Sequence, residues 1–278
     1  MSTTAYPKIK VASRRKGGVA SVTGVDFHSL SDSQLGEIYA ALTKHLVLGF
    51  PKSHLTQEQQ LALTRRLCEA SGVSADNLRI TEITNQGEYG EYELDWHADG
   101  YFNETGPKIG ILNSIIIPST AVNTRFCNLI SLWEDVREDI QRELRGKSIC
   151  NDAVYTQYGR PRRQTKPTTE DFRKWPHVEH PIVHIDPDTG KEALHLGARK
   201  WSFIKDMDQR RSDEILEELW KMVDSGEYTF GAEWQEDMLV MWRNDLVLHF
   251  KPKGNGEPRL LDRTSVPGGA LVMASLSC

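Results

Sequence analysis

Trp96-His97-Ala98-Asp99-Gly100, followed shortly by the apolar run Ile109 to Ile117, decides how this chain is read. Side chains alternate along an extended strand, so His97 and Asp99 are expected on one side of it. His249, closing the apolar Leu246-Val247-Leu248-His249, can add a second imidazole from a distant strand. Two imidazoles and one carboxylate suit ferrous iron and leave adjacent positions open for a chelating keto acid and dioxygen. The same donors serve catalytic zinc. A zinc hydrolase is therefore one alternative, and a binding protein that has lost its chemistry is another. Downstream, Arg259 and Arg263 are spaced to share a strand face, where planar guanidinium groups can grip carboxylates through paired hydrogen bonds.

Nine histidines in a chain with 39 acidic residues give roughly one His-x-Asp/Glu by chance. Three occur: His97/Asp99, His177/Glu179 and His184/Asp186. Pro176 and Pro181 bracket the second, arguing against a regular, well-paired strand there. The third runs into Asp186-Pro187-Asp188-Thr189-Gly190-Lys191, a turn sequence that bends Asp186 away from His184. Only His97/Asp99 precedes a long apolar run, expected to be a strand buried on both faces.

At 278 residues with 38% hydrophobic content the chain can bury a substantial core. It reads as a single unit over 1–278, with a loosely ordered lead-in over 1–20 and a long loop or insert over 158–175. A net charge of −5 gives no global attraction to nucleic acid. The small basic group Lys8, Lys10, Arg14, Arg15 and Lys16 lacks the interleaved aromatics of a nucleic-acid arm. Cys68, Cys127, Cys150 and Cys278 have neither zinc spacing nor a disulfide pattern, and read as reduced thiols. With no signal core and no apolar run of membrane length, a soluble cytoplasmic protein is expected.

Capping boxes at Ser31-Asp32-Ser33-Gln34 and Thr56-Gln57-Glu58-Gln59 open two early helices. The spacing predicts strands at Ile9–Ala12, His45–Phe50 and Leu78–Ile83, and a mobile lid over the glycine-rich stretch 86–93. Ser131 and Glu134 are expected to cap a helix carrying Val136, Ile140 and Leu144. Pro181–Ile185 and Glu192–Leu196 make a hairpin, and Ser212–Asp224 a helix. Apolar strands follow at Glu236–His249 and Arg259–Val266. Many short strands with a few helices outside suggest a jelly roll with helical buttresses.

Several pieces, in order and separation, resemble the taurine/2,4-dichlorophenoxyacetate dioxygenase family (TauD/TfdA). They are Val22-Thr23-Gly24-Val25-Asp26-Phe27, Leu55-Thr56-Gln57-Glu58-Gln59-Gln60, Trp96-His97-Ala98-Asp99 and Ile115-Ile116-Ile117-Pro118. His180-Pro181-Ile182-Val183, Met238-Leu239-Val240-Met241-Trp242 and Leu246-Val247-Leu248-His249 complete the set. The resemblance implies a mainly β fold with flanking helices, a cupin-like double-stranded β-helix. It implies an iron(II)- and 2-oxoglutarate-dependent dioxygenase that oxidises an unactivated C–H bond and releases succinate and carbon dioxide. Hydroxylation, desaturation and cyclisation are all within that chemistry. His97, Asp99 and His249 would be the iron ligands, and Thr124 would help hold 2-oxoglutarate. Arg259 would take its distal carboxylate, and Arg263 would lie nearer the primary substrate. Association into homo-oligomers is a further implication of the resemblance.

Three departures stand out. Arg243-Asn244-Asp245 replaces the family's Asp-Asn-Arg, Ala121-Val122-Asn123 replaces Gly-Gly-Asp, and the arginines fall one residue closer to the last histidine. For the substrate, Glu93, Asp95, Tyr101, Phe102 and Arg263 are the candidate contacts. Acidic Glu91, Glu93 and Asp95 would meet an amine and Arg263 a carboxylate, which suits a small anionic or zwitterionic metabolite of natural-product type.

Overall fold

The computed structural model describes residues 6–12, 18–85, 92–120, 123–156, 159–162, 167 and 169–275. Expectations placed on 14–16, 86–91, 121–122, 163–166 and Cys278 lie outside the described residues. Strands β1 (Lys10–Ala12) and β2 (Ala20–Thr23) precede helix α1 (Asp32–His45), β3 (Val47–Phe50) and helix α2 (Gln57–Ala70). Both helices begin at the expected capping boxes. Ser31 accepts from Gln34 N and Thr56 from Gln59 N, while each glutamine side chain returns to the cap backbone. Two otherwise orphaned N–H groups are satisfied at each helix start.

Strands β4 (Thr81–Thr84), β5 (Leu94–His97), β6 (Pro107–Ile116) and β7 (Thr124–Asn128) follow. Helices α3 (Leu129–Glu134) and α4 (Glu138–Leu144) lead to β8 (Ser148–Asp152) and a 3-10 turn at Phe172–Lys174. Next come β9 (His177–Pro181), β10 (Val183–Ile185), β11 (Glu192–Leu194), β12 (Phe203–Ile204) and helix α5 (Gln209–Asp224). The chain ends in β13 (Thr229–Ala232), β14 (Leu239–Arg243), β15 (Val247–Lys251), β16 (Leu260–Pro267) and β17 (Val272–Met273).

A seven-stranded sheet in the order β1-β2-β3-β14-β6-β16-β4 faces a four-stranded sheet ordered β13-β7-β15-β5. Val240 and Trp242 of β14, Phe126 of β7, Val247 of β15 and Leu261 of β16 form one core between them. The apolar stretch Glu236–His249 is therefore two strands in different sheets, and the chain changes sheet across Asn244-Asp245-Leu246. Gly110 of β6 pairs with Trp242, and a Cβ there would fall 2.2 Å from the indole. Only glycine lets that ring lie over the strand.

Helices α1 and α2 cover the outer face of the larger sheet, where Ile38, Leu42 and Leu67 are almost completely buried against Ile109, Ile111 and Met241. Each such side chain contributes about 1.5–3 kcal/mol through removal from water. Helices α3, α4 and α5 pack with Trp96, Cys127 and Leu248 of the smaller sheet. Two facing sheets buttressed by helices are the expected jelly roll.

Three local expectations are corrected. The run from Ile109 is not buried throughout: Ile115 and Ile116 are 40% and 42% exposed, where the register of β6 against β16 slips. His177–Pro181 is a regular strand, paired with β8 over five positions. It lies at its sheet's edge with the prolines at its limits, where a missing N–H costs little. Finally, Asn128 rather than Ser131 caps α3, its Oδ1 accepting from Ile130 N and Ser131 N, and Val136 separates α3 from α4.

Candidate metal centre and its cavity

Neighbouring strands β5 and β15 set His97 directly opposite His249. Opposed residues of an antiparallel pair share a face, and the two rings lie 4.1 Å apart, centroid to centroid. Asp99 is not on the strand. Strand β5 stops at His97, and Asp99 sits in the turn that Gly100 completes at φ +73°. Period-two alternation therefore does not aim this carboxylate; two other contacts do.

Asn244, at the crossing between sheets, accepts from Asp99 N at 2.9 Å and donates to Asp99 O at 3.1 Å. Arg263 Nη2 donates to Asp99 Oδ2 at 2.7 Å. The remaining oxygen, Oδ1, lies 3.6 Å from Nε2 of both His97 and His249. His97 Nδ1 is 2.8 Å from the Asp95 carbonyl, which can only accept. The ring proton is thus on Nδ1, and Nε2 offers its lone pair.

Burial opposes charge on Asp99, but Arg263, His249 and His97 more than offset it and hold the carboxyl well below its usual range. Burial, and then His97, brings His249 down to about 3, with Asp99 pulling the other way. An ionised carboxylate and neutral imidazole are the forms that ligate metal. The three donor atoms lie within 4.8 Å of one another. Gaps of 3.6 Å exceed a hydrogen bond and are of the size spanned by an ion with bonds of about 2.1 Å. The residues fit a metal.

A cavity of about 600 Å³ opens over this group. Tyr101, Phe102, Thr124, Trp242, Arg259 and Arg263 all line it. Thr124 Oγ1 accepts from Trp234 Nε1 at 3.1 Å, which fixes a buried hydroxyl in the wall. Arg259 is 7% exposed, and its backbone N–H donates to Asn85 Oδ1. Its guanidinium has no partner among the described residues, and burial alone lowers it to about 10. Glu93 and Asp95 do not line this cavity. Glu93 is exposed, while Asp95 accepts from Trp96 N and faces Arg199 at 3.7 Å. Among the described residues the expected amine-binding acids do not line the cavity; Glu91 lies outside the described residues.

Residues 12–264 match the family described as taurine catabolism dioxygenase TauD, TfdA family. The chain belongs to this family. It is similar to the (S)-phenoxypropionate/alpha-ketoglutarate-dioxygenase of Sphingobium herbicidovorans, at 25% identity over 83% of this chain and 84% of that protein. It is also similar to pentalenolactone F synthase of Streptomyces avermitilis, at 27% identity over 84% and 85%. Among solved structures, AAD-2 in complex with Mn(II) and N-oxalylglycine superposes with a TM-score of 0.76 at 22% identity, covering 95% and 99%. That likeness carries the fold. This TauD/TfdA chain is thus an enzyme, a 2-oxoglutarate-dependent oxygenase whose class uses Fe(II), 2-oxoglutarate and dioxygen.

In this TauD/TfdA enzyme the exchanged acid and base of Arg243-Asn244-Asp245 remain an ion pair. Arg243 donates to Asp245 Oδ1 at 2.9 Å and Oδ2 at 2.7 Å. It also donates to Asp186 at 2.7 Å and Asp188 at 2.8 Å. The hairpin turn supplies two of the acids that hold Arg243 in place. Asn244, next along, then reaches Asp99. Sequence reading passed over Asn244, although the altered triplet around it was the available signal.

Cys150, His177 and Glu179 form a second group within ligating distance. Burial pushes the Cys150 thiol up to about 12, and Lys205 Nζ donates to both Glu179 oxygens at 2.8 Å. The group is already neutralised by the chain's own ammonium. No helix among the described residues is long and apolar enough to cross a membrane.

Proposed function

We propose that His97, Asp99 and His249 hold Fe(II), and that Thr124 and Arg259 receive 2-oxoglutarate beside it. The enzyme then oxidises an unactivated C–H bond of a small organic anion and releases succinate and carbon dioxide. The observation that carries this reading is Arg259, a buried cation without an anionic partner among the described residues. Burying a charge unpaired is costly, and a ligand carboxylate gripped by the guanidinium fork removes that cost. Nearby, burial and then Arg259 lower Lys251 to about 8, so the same end of the cavity favours negative charge.

Bound iron supplies the activation of dioxygen; the protein supplies binding, orientation and exclusion of water. Asn244 and Arg263 fix Asp99 so that one oxygen faces both imidazoles. Trp242, packed 5.3 Å from His249, keeps that ring from turning. Tyr101 and Phe102 close a largely apolar wall beside the metal ligands. The phenoxypropionate named for one relative supports an organic anion with an apolar body. Hydroxylation is the simplest outcome, and substrate placement would turn the same chemistry to desaturation or cyclisation. Asp99→Ala should abolish substrate-coupled succinate formation, measured by chromatography; undiminished turnover would reject the reading.

A further inference from the structure

We infer that Arg162 anchors the anionic group of the substrate. This deepens the functional reading above and rests on it, since the cavity must be the one that takes 2-oxoglutarate. Arg162 comes from the basic segment between β8 and β9, whose described residues 160–162 lie against 154–156. Arg162 N donates to Val154 O and Thr156 N to Arg160 O, each at 2.7 Å, and Tyr155 forms a bridge with Pro161. The side chain is fixed as firmly. Its Nε donates to Tyr155 O and its Nη2 to Tyr101 Oη, both at 3.0 Å. Its guanidinium carbon lies 3.5 Å from the centroid of the Phe102 ring. Tyr101 and Phe102 follow closely on Asp99, so the cation is carried to the cavity wall beside the metal ligands.

A guanidinium has five N–H donors. Two of them are spent on protein oxygens; both on Nη1 and one on Nη2 meet no described residue. Among the described residues no carboxylate forms an ion pair with the group, the nearby Asp152 being turned to Val154 N and Tyr155 N. Nη1 and Nη2 make the end-on fork that grips both oxygens of a carboxylate or of a sulfate ester. Arg263, which the sequence pointed to for this task, already gives Nη2 to Asp99.

Charge bookkeeping agrees. Asp99 is the one carboxylate lining the cavity among the described residues, against Arg162, Arg259, Arg263 and the exposed Arg79. A metal dication and a dianionic cosubstrate cancel, and Asp99 answers Arg263. Positive charge remains among the described residues, which suits one more anion. Ile83, Leu94, Leu112 and Leu261 line the same space and would take an apolar body.

The test is calorimetric titration of the anaerobic Fe(II)/2-oxoglutarate-loaded enzyme with phenoxyacetate, phenyl sulfate and neutral phenoxyacetamide. Wild type should bind one of the anions at least about tenfold more tightly than the amide. Arg162→Gln should lose about ten- to hundredfold for that anion, the worth of a charged hydrogen bond, and change little for the amide. Arg162→Lys should fall between, and Tyr101→Phe, which keeps the charge, should lose less than Arg162→Gln. Equal losses for anion and amide, an unchanged Arg162→Gln, or no preference for either anion in wild type would overturn the assignment. The titration with 2-oxoglutarate alone is read separately. Failure at that stage rejects the cosubstrate reading, whereas success there with the outcomes just named rejects only the role of Arg162.

Discussion

Arg243 and Arg259 are both buried, 0% and 7% exposed, yet their surroundings could hardly differ more. Arg243 meets Asp186, Asp188 and Asp245 at 2.7–2.9 Å. Burial works against its charge, but those acids prevail and raise its pKa above the ordinary arginine value. Among the described residues Arg259 has no such company, and burial lowers it to about 10. A buried cation surrounded by acids is part of the scaffold. A buried cation facing a cavity with no acid beside it is half of a complex. The fold carries one of each on either side of β15, so structural and ligand-binding charge can be told apart by their partners alone.

The largest effect should come from breaking the satisfied member. Arg243→Met leaves Asp186 and Asp245 without their cation, while Asp188 keeps Lys108 at 2.9 Å, and should cost about 3–5 kcal/mol of stability in denaturant unfolding. It should also loosen Asn244. Arg259→Gln should move the other way or not at all, because it removes an unpaired buried charge; thermal unfolding of the two variants side by side checks the opposition. If both were equally destabilised, the distinction between them would collapse.

Sharpening the scaffold side further, Asn244→Ala releases the Asp99 backbone and should weaken Fe(II) binding about 10–100-fold, as loss of ligand-orienting contacts does. A competitive chelator titration measures it, and unaltered metal affinity would count against Asn244 as the residue that positions Asp99.

The smallest effect concerns buried groups that are kept neutral rather than paired. His180, His184 and His195 are all lowered from the ordinary imidazole value, in each case chiefly by burial. The unfolded chain therefore takes up protons below about pH 6.5 that the folded chain refuses. Stability should be fully present above that pH and fall below it, by up to about 1.4 kcal/mol per pH unit for each imidazole. Unfolding midpoints measured between about pH 8 and about pH 5 would show it. His195→Gln should flatten the profile, and a wild-type profile already flat would refute the assignment.

Much of this was legible in the chain beforehand. Both capping boxes sit where Ser31 and Thr56 placed them, because the motif is local and its chemistry is complete within four residues. The convergence of His97, Asp99 and His249 was legible too, but for a partly mistaken reason. His97 and His249 meet through register, while Asp99 is held in a turn by Asn244 and Arg263, contacts that cross the sequence and leave no periodic trace. Exposure of Ile115 and Ile116 was hidden because hydrophobicity cannot announce a register slip. The prolines around His177–Pro181 misled for a related reason: their cost depends on whether a strand is central or at an edge. Glu93 and Asp95 looked like substrate contacts from proximity in sequence alone, yet neither lines the cavity that Tyr101 and Phe102 line.

The most direct test is an anaerobic titration of the Fe(II)-loaded enzyme with 2-oxoglutarate, following the weak visible charge-transfer absorption of the chelate, in wild type and Arg259→Gln. Wild type should develop the band to saturation, and Arg259→Gln should need about 10–100-fold more 2-oxoglutarate, as loss of a charge-assisted hydrogen-bonded pair implies. No band in wild type, or identical titrations for the two proteins, would contradict the account.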